Sequence, residues 1–162
     1  MKSPGKEKII GVISDTHGLL RPEVLEIFKG VSLILHAGDI GAPEVLDDLR
    51  SVAAVVAVRG NNDTGEWAER IPERETVRAG AVSIYMLHNL KELKLQPSDE
   101  GLAAVISGHS HQPSITHREG VLFLNPGSAG PRRFKLPISV ARLNVRGSAI
   151  QAELVDLSEP KK

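Results

Sequence analysis

The chain reads as an α/β protein of two packed β-sheets with helices outside, and three observations carry that expectation. Five apolar, β-branched runs are bounded by turn residues, at 9–14, 33–38, 55–60, 82–87 and 104–108. Runs of that length and punctuation read as buried strands. In the first third they alternate with helical patterns. The remainder is rich in hairpin signals centred on glycine, and mixed α/β followed by hairpins suggests two sheets in contact. At 162 residues, 1–162 has the length of a single domain with a substantial core.

Taken in order, a strand over 8–14 is followed by a helix opening near Pro22, with Val24, Leu25 and Phe28 at helical spacing. A strand over 32–37 precedes a helix over 43–50 whose Val45, Leu46 and Leu49 share one face. Pro22 and Pro43 suit the first turns of these helices, where a missing N–H costs nothing. A strand over 53–59 completes a βαβαβ unit, which implies parallel pairing and right-handed crossovers. Strands over 75–78 and 82–87 flank the turn Ala79-Gly80-Ala81. An irregular or helical stretch over 91–102 leads into a strand over 103–107. Two further hairpins follow, 114–118 with 121–125 around Glu119-Gly120, and 139–145 with 148–155 around Arg146-Gly147. No linker, low-complexity tract or internal repeat interrupts the chain, and 1–7 and 158–162 read as flexible tails.

Composition excludes several classes of function. Lys and Arg total 20 and so do Asp and Glu, so no net basic field steers the molecule onto nucleic acid or an anionic membrane. Cysteine is absent, which rules out disulfide scaffolds and thiolate metal sites and leaves oxygen and imidazole as ligands. No apolar run approaches a signal-peptide core or a membrane span, so a cytoplasmic location is expected. Aromatic residues are scarce, which argues against base-stacking platforms.

Each of the five runs ends on a residue able to bind a divalent metal. The ends are Asp15 and His17, Asp39, Asn61, His88, and His109 with His111. In α/β sheets functional groups gather at the carboxyl ends of strands. Asp, Asn and His also punctuate strands simply as turn formers, but that accounts for one or two of the five ends. Seven candidate ligands are too many for one ion and about right for two. Asp15-Thr16-His17 and His109-Ser110-His111 are i, i+2 pairs, which point the same way in extended backbone. His109 and His111 would then have Cα atoms about 7 Å apart, enough to straddle a metal pair. Gly38, Gly60 and Gly108 directly precede Asp39, Asn61 and His109, and a missing Cβ lets backbone fold tightly under a ligand. Mixed carboxylate, amide and imidazole donors suit Mn²⁺, Fe or Zn²⁺, whereas a pure Mg²⁺ site rarely recruits four histidines.

These residues resemble a known family. Asp15-x-His17, Gly38-Asp39, Gly60-Asn61-x-Asp63, His88 and Gly108-His109-x-His111 stand in the order and spacing of the calcineurin-like metallophosphoesterases. Asn125-Pro126-Gly127-Ser128 followed by Pro131-Arg132 resembles its small prokaryotic, YfcE-like phosphodiesterase branch, and the likeness spans 8–154. The resemblance implies a β-sandwich of two mixed sheets flanked by helices. It implies that Asp15, His17, Asp39 and His111 hold one metal ion, and that a bridging Asp39 shares the second with Asn61, His88 and His109. Two divalent ions per chain follow, Mn²⁺ foremost, with Fe, Zn²⁺, Ni²⁺ or Mg²⁺ as alternatives. The implied reaction is hydrolysis of a P–O bond, by attack of a metal-bridging water, in a small phosphorylated substrate; homo-oligomerisation is left open.

One departure is notable. Many members carry His where this chain has Asn62, and close relatives often have Cys; the His is thought to help the leaving oxygen depart. Asn donates a hydrogen bond but has no proton to give at neutral pH, so good leaving groups should be favoured. Asp63 is expected to orient a neighbouring ligand. Arg132, with Arg59 and Arg133 behind it, is a candidate contact for a distal phosphate. His36 is assigned a structural or rim role, His117 an exposed one, Trp67 a packing role under the loop after Asn61, and 125–128 a turn supporting the metal rim. Two rival readings use the same residues: a non-catalytic metal-binding scaffold, as in the retromer subunit, and a nuclease, which would want a basic groove.

Overall fold

The computed structural model describes residues 7–132 and 135–157; Arg133, residues 1–6 of the expected tail 1–7, and the expected tail 158–162 lie outside them. Strands β1 (Lys8–Ile13), β2 (Leu33–His36) and β3 (Ala54–Ala57) pair in parallel, joined by helices α1 (Pro22–Ile27) and α2 (Pro43–Arg50). The next strands are β4 (Arg74–Ala79), β5 (Val82–Leu87), β6 (Ala104–Ile106), β7 (Ser114–Arg118) and β8 (Val121–Asn125), then the hairpin β9 (Ser139–Arg146) and β10 (Ala149–Asp156). They form two mixed five-stranded sheets, in the orders β10-β9-β1-β2-β3 and β4-β5-β6-β8-β7. The last hairpin therefore returns to the first sheet, where β9 pairs antiparallel with β1.

The near-continuous apolar character of β1 has a direct cause: both of its faces are covered. Ile10 and Val12 point between the sheets, where they meet Leu35, Ile84, Met86, Ile106 and Leu124. Ile9 and Ile13 point the other way, into a second cluster with Val24, Phe28, Val45 and Leu49 from the helices. Phe28 can lie this close because residue 11 is glycine; a Cβ there would stand 2.8 Å from two of its ring carbons.

The two outer faces differ. α1, α2 and a short α3 (Glu66–Glu69) cover the first sheet, and Trp67 packs into that cluster. The second sheet is covered by one 3₁₀ turn, Leu90–Glu92, and irregular chain, with Leu90 and Leu93 over Val105, Val121 and Phe123. β1, β2, β3 and β6 end one to three residues before their apolar runs do, as the chain curls away from the ladder towards the candidate ligands, while β5 ends with its run at Leu87. Among the described residues, no helix is long and apolar enough to cross a membrane.

Candidate metal centre

Every candidate ligand follows the carboxyl end of a parallel strand, β1, β2 and β3 from one sheet and β5 and β6 from the other. Stacking the sheets brings these ends onto one rim. The loops are stitched by backbone bonds, with the amides of Asp15 and His17 donating to the carbonyls of Gly38 and Asp39, both at 2.9 Å. The amide of Gly108 donates to the carbonyl of His88, also at 2.9 Å. Two groups of potential ligand atoms result, Asp15 with His17 and His111, and Asp39 with His88 and His109. Within each group the atoms lie within 4.8 Å of one another. Asn61 is exposed on the loop after β3 and lines a cavity together with His88 and His109.

The backbone reaches this arrangement by an unusual route. Six non-glycine residues among those described have positive φ, and five are candidate ligands: Asp15 (57°), His17 (48°), Asp39 (55°), His109 (72°) and His111 (64°). The expectation that 15/17 and 109/111 converge through extended backbone is therefore corrected. Each pair converges because its members adopt left-handed turns, at a cost of about 1–3 kcal/mol per residue that the surrounding structure must offset. Glycines make room for the turns. A Cβ on Gly38 would stand 2.6 Å from His88 Nδ1, one on Gly60 would collide with the Asp39 amide and Oδ1, and one on Gly108 with Ser14 Oγ.

Both carboxylates are held by donors on one side and left open on the other. Asp15 Oδ2 accepts from Ser14 Oγ at 2.6 Å and from the His109 amide at 3.0 Å. Asp15 Oδ1 faces His111 Nε2 at 3.3 Å and the Nε2 atoms of His17 and His88 at 3.8 Å. Asp39 Oδ2 lies 3.2 Å from His88 Nε2 and 3.8 Å from His17 Nε2, so it reaches both groups. Burial opposes ionisation of Asp15, but the neighbouring His111 imidazole and the Ser14 hydroxyl outweigh it, and the pKa falls below the ordinary value. Burial likewise opposes ionisation of Asp39; His88 and the Asn62 amide overcome it and hold this carboxyl well below the usual range. Burial opposes protonation of His88, but the neighbouring carboxylates of Asp39 and Asp15 outweigh it and raise its pKa.

These atoms suit a cation. Five side-chain polar atoms among the described residues are buried without a hydrogen-bond partner, and four are Asp15 Oδ1, His17 Nε2, His88 Nε2 and His111 Nδ1. Buried polar groups left unpaired in this way cost roughly 1–3 kcal/mol each unless something else satisfies them. His88 is also pre-oriented: Nδ1 donates to the Ala37 carbonyl at 2.8 Å, leaving the Nε2 lone pair facing the carboxylates.

Comparison with known proteins names the family. The profile of the calcineurin-like phosphoesterase superfamily domain matches residues 9–148. The chain belongs to this superfamily. A probable metallophosphoesterase of Methanothermobacter thermautotrophicus is 38% identical over 163 residues, covering 94% of each chain. A phosphodiesterase of Methanocaldococcus jannaschii is 30% identical over 137 residues, 73% of this chain and 82% of its own. Zinc-complexed Vps29 from Entamoeba histolytica shares the fold at 23% identity, with a TM-score of 0.70 over 91% of this chain and 98% of that one.

In this calcineurin-like domain the remaining singled-out residues surround the centre. Asp63 accepts from the amides of Ile40, Gly41 and Gly60 at 2.9–3.1 Å, and so ties the loop of Asp39 to the loop of Asn61 through backbone. Asn62 grips Asp39: its amide donates to Oδ1 at 2.9 Å and its Nδ2 to Oδ2 at 3.0 Å. His36 is fully buried, and burial lowers its pKa to about 4. Its Nδ1 accepts from the Gly38 amide at 3.1 Å, which assigns the hydrogen to Nε2, 3.0 Å from Thr16 Oγ1. That hydroxyl in turn donates to the Ile40 carbonyl at 2.8 Å.

Arg132 is exposed on the loop after β8, and Arg59 pairs with Glu73 at 3.1 Å. His117 is exposed on β7. Asn125 Nδ2 donates to the Gly108 carbonyl and Ser128 Oγ to the Asp15 carbonyl, both at 3.0 Å, which makes this turn a brace for the rim. Ser14 escaped the sequence reading, since a hydroxyl at the end of an apolar strand has no distinguishing pattern.

Proposed function

We propose that this chain is a dinuclear, metal-dependent phosphodiesterase: a single-domain cytoplasmic enzyme acting on a small phosphorylated substrate. The observation that carries the reading is the pair of ligand groups facing each other through buried, unpartnered nitrogen and oxygen atoms. Asp15, His17, Asp39 and His111 would hold one ion, and Asp39, Asn61, His88 and His109 the other, with Mn²⁺ the first candidate. Two such ions supply Lewis-acid stabilisation of phosphoryl charge and lower the pKa of a water between them.

The chain's own residues do the rest. Asp39, kept ionised by His88 and Asn62, presents anionic oxygen to both groups. His88 is locked by Ala37, and Asp15 by Ser14 and the His109 amide. Water adds to phosphorus as the P–O bond to the leaving alcohol breaks; the products are a phosphomonoester and an alcohol that carries away a proton. Asn62 would face the leaving oxygen as a hydrogen-bond donor only, which favours good leaving groups. Arg132 would meet substrate from the rim.

The scaffold reading is weaker. Metal binding alone does not separate the two, since a zinc-complexed Vps29 shares the fold. The filled ligand positions favour catalysis. The test is reconstitution with Mn²⁺, elemental analysis, and hydrolysis of an aryl phosphodiester. Two ions per chain with turnover are expected; at most one ion and no turnover with any divalent metal would favour the scaffold.

A further inference from the structure

Two cavities meet at the candidate centre, and their linings differ. One, of about 450 Å³, runs from His109 between the 3₁₀ turn and the outer face of the second sheet. The other, of about 400 Å³, opens on the side of Asn61 and His88. His109 and Asn89 line both. A phosphomonoester has one organic arm and needs one such space; a diester centred at His109 has two arms and would fill both.

Resting on the phosphodiesterase reading, we infer that the larger cavity binds the retained arm of the diester and that this arm is a sugar-bearing alcohol of the nucleoside type. The second cavity shares Gly60, Asn61 and Asp63 with the loop that carries Asn62, so the leaving alcohol departs on that side. It is lined by charge already engaged internally, with Arg59 on Glu73 and Arg74 on the Glu92 carbonyl, each at 3.1 Å. Among the described residues, no acidic side chain lines the larger cavity, and Lys91 is its one basic side chain besides His109. It offers the hydroxyls of Ser107, Ser114 and Thr116, none of which has a hydrogen-bond partner among the described residues. Ser107 lies in the wall with only 5% of its surface exposed, and its hydroxyl has no partner among the described residues. Neutral donor–acceptor groups of this kind match the hydroxyls of a sugar. Leu90 and Phe123 add an apolar surface against which a ring can pack.

The test uses three diesters with the same 4-nitrophenolate leaving group and different retained arms: methyl, phenyl and thymidine-5′. With the Mn²⁺-loaded enzyme, the thymidine diester should exceed the phenyl diester about tenfold in kcat/KM, mostly through KM. Thr116→Val, which removes one hydroxyl from an exposed strand position, should reduce that ratio, and Thr116→Trp, which fills the cavity, should abolish it. A phenyl arm equal to or better than thymidine overturns the sugar assignment. Ratios unmoved by both Thr116 variants overturn the placement of the arm, while turnover of the methyl diester leaves the phosphodiesterase reading intact. No turnover of any of the three defeats that reading and this inference with it.

Discussion

The two ligand groups use the same chemistry but meet solvent differently. Asp15 and His111 are buried and His17 half-buried, and none of the three lines either cavity. In the second group Asp39 and His88 are buried but His109 is exposed, and exposed Asn61 stands beside them. One group is walled in by Ser14, Gly108 and the Asn125–Ser128 brace; the other opens onto both spaces where a substrate would lie. The difference separates two tasks, a protected group suited to holding charge in place and an accessible one suited to meeting a ligand. Asp39 joins them, its Oδ2 within 3.8 Å of imidazoles on both sides.

Breaking the joint should have the largest effect. If the centre holds the two proposed ions, Asp39→Asn is expected to lower kcat by about 10³-fold or more, since it removes several kcal/mol of charge stabilisation that both would share. Asp15 also reaches both groups, at 3.8 Å from His88, so Asp15→Asn is the informative control. Equal losses in Asp39→Asn and His17→Ala, measured with the metals saturating, would show that no single carboxylate bridges the groups.

The link between the two loops is open to a pH test. His36 is buried neutral between Thr16 and Gly38, with a folded pKa of about 4 against 6.5 unfolded. Between those values the unfolded chain binds a proton that the folded chain refuses. The contribution of His36 to stability is therefore full above pH 6.5 and falls as pH drops towards 4, by up to about 3 kcal/mol. Urea unfolding of the chelated protein should show that slope, and His36→Gln should flatten it; identical slopes would mean that His36 protonates without cost.

Weaker perturbations should resolve the groups individually. Ser14→Ala removes a donor to Asp15, and Asn62→Ala removes one to Asp39. Each should weaken one of two metal-binding steps by roughly 10–100-fold and spare the other, as read by metal titration calorimetry. Loss of both steps together in either variant would erase the distinction between a walled and an open group.

Smallest on activated substrates should be Asn62→His. It should raise turnover for poor leaving groups and change little for nitrophenyl esters, flattening the plot of log kcat against leaving-group pKa. Unchanged slopes at full metal loading would leave Asn62 as a clamp on Asp39 and nothing more, the role its two hydrogen bonds already describe.

Much of this was legible in one dimension because it rests on local signals. Prolines at helix starts, glycine turns and apolar runs placed α1, α2, the parallel β1–β3 unit and three hairpins, with β7 and β8 falling on the expected residues. Short α3 escaped, since four residues are too few to show a period. The candidate ligands could be singled out because each interrupts an apolar run with a metal-binding side chain. Their grouping follows from the resemblance, whereas their convergence through left-handed turns is not legible in sequence, because i, i+2 spacing carries no information about the sign of φ.

By itself, then, the sequence determined most element types, the strand ends that bear candidate ligands and the family to which the chain belongs. Tertiary structure alone decided that β9 and β10 return to the first sheet, and that stacking of the two sheets brings the candidate ligands onto one rim. It also decided that five candidate ligands turn left-handed, that Ser14 and Asn62 grip the two carboxylates, and that one group is sealed while the other opens to two cavities. The physical reason is common to all of these. They depend on contacts between residues distant in the chain, such as Gly108 with Ser14 and His88 with Ala37, whose energies exist only once the sheets have stacked.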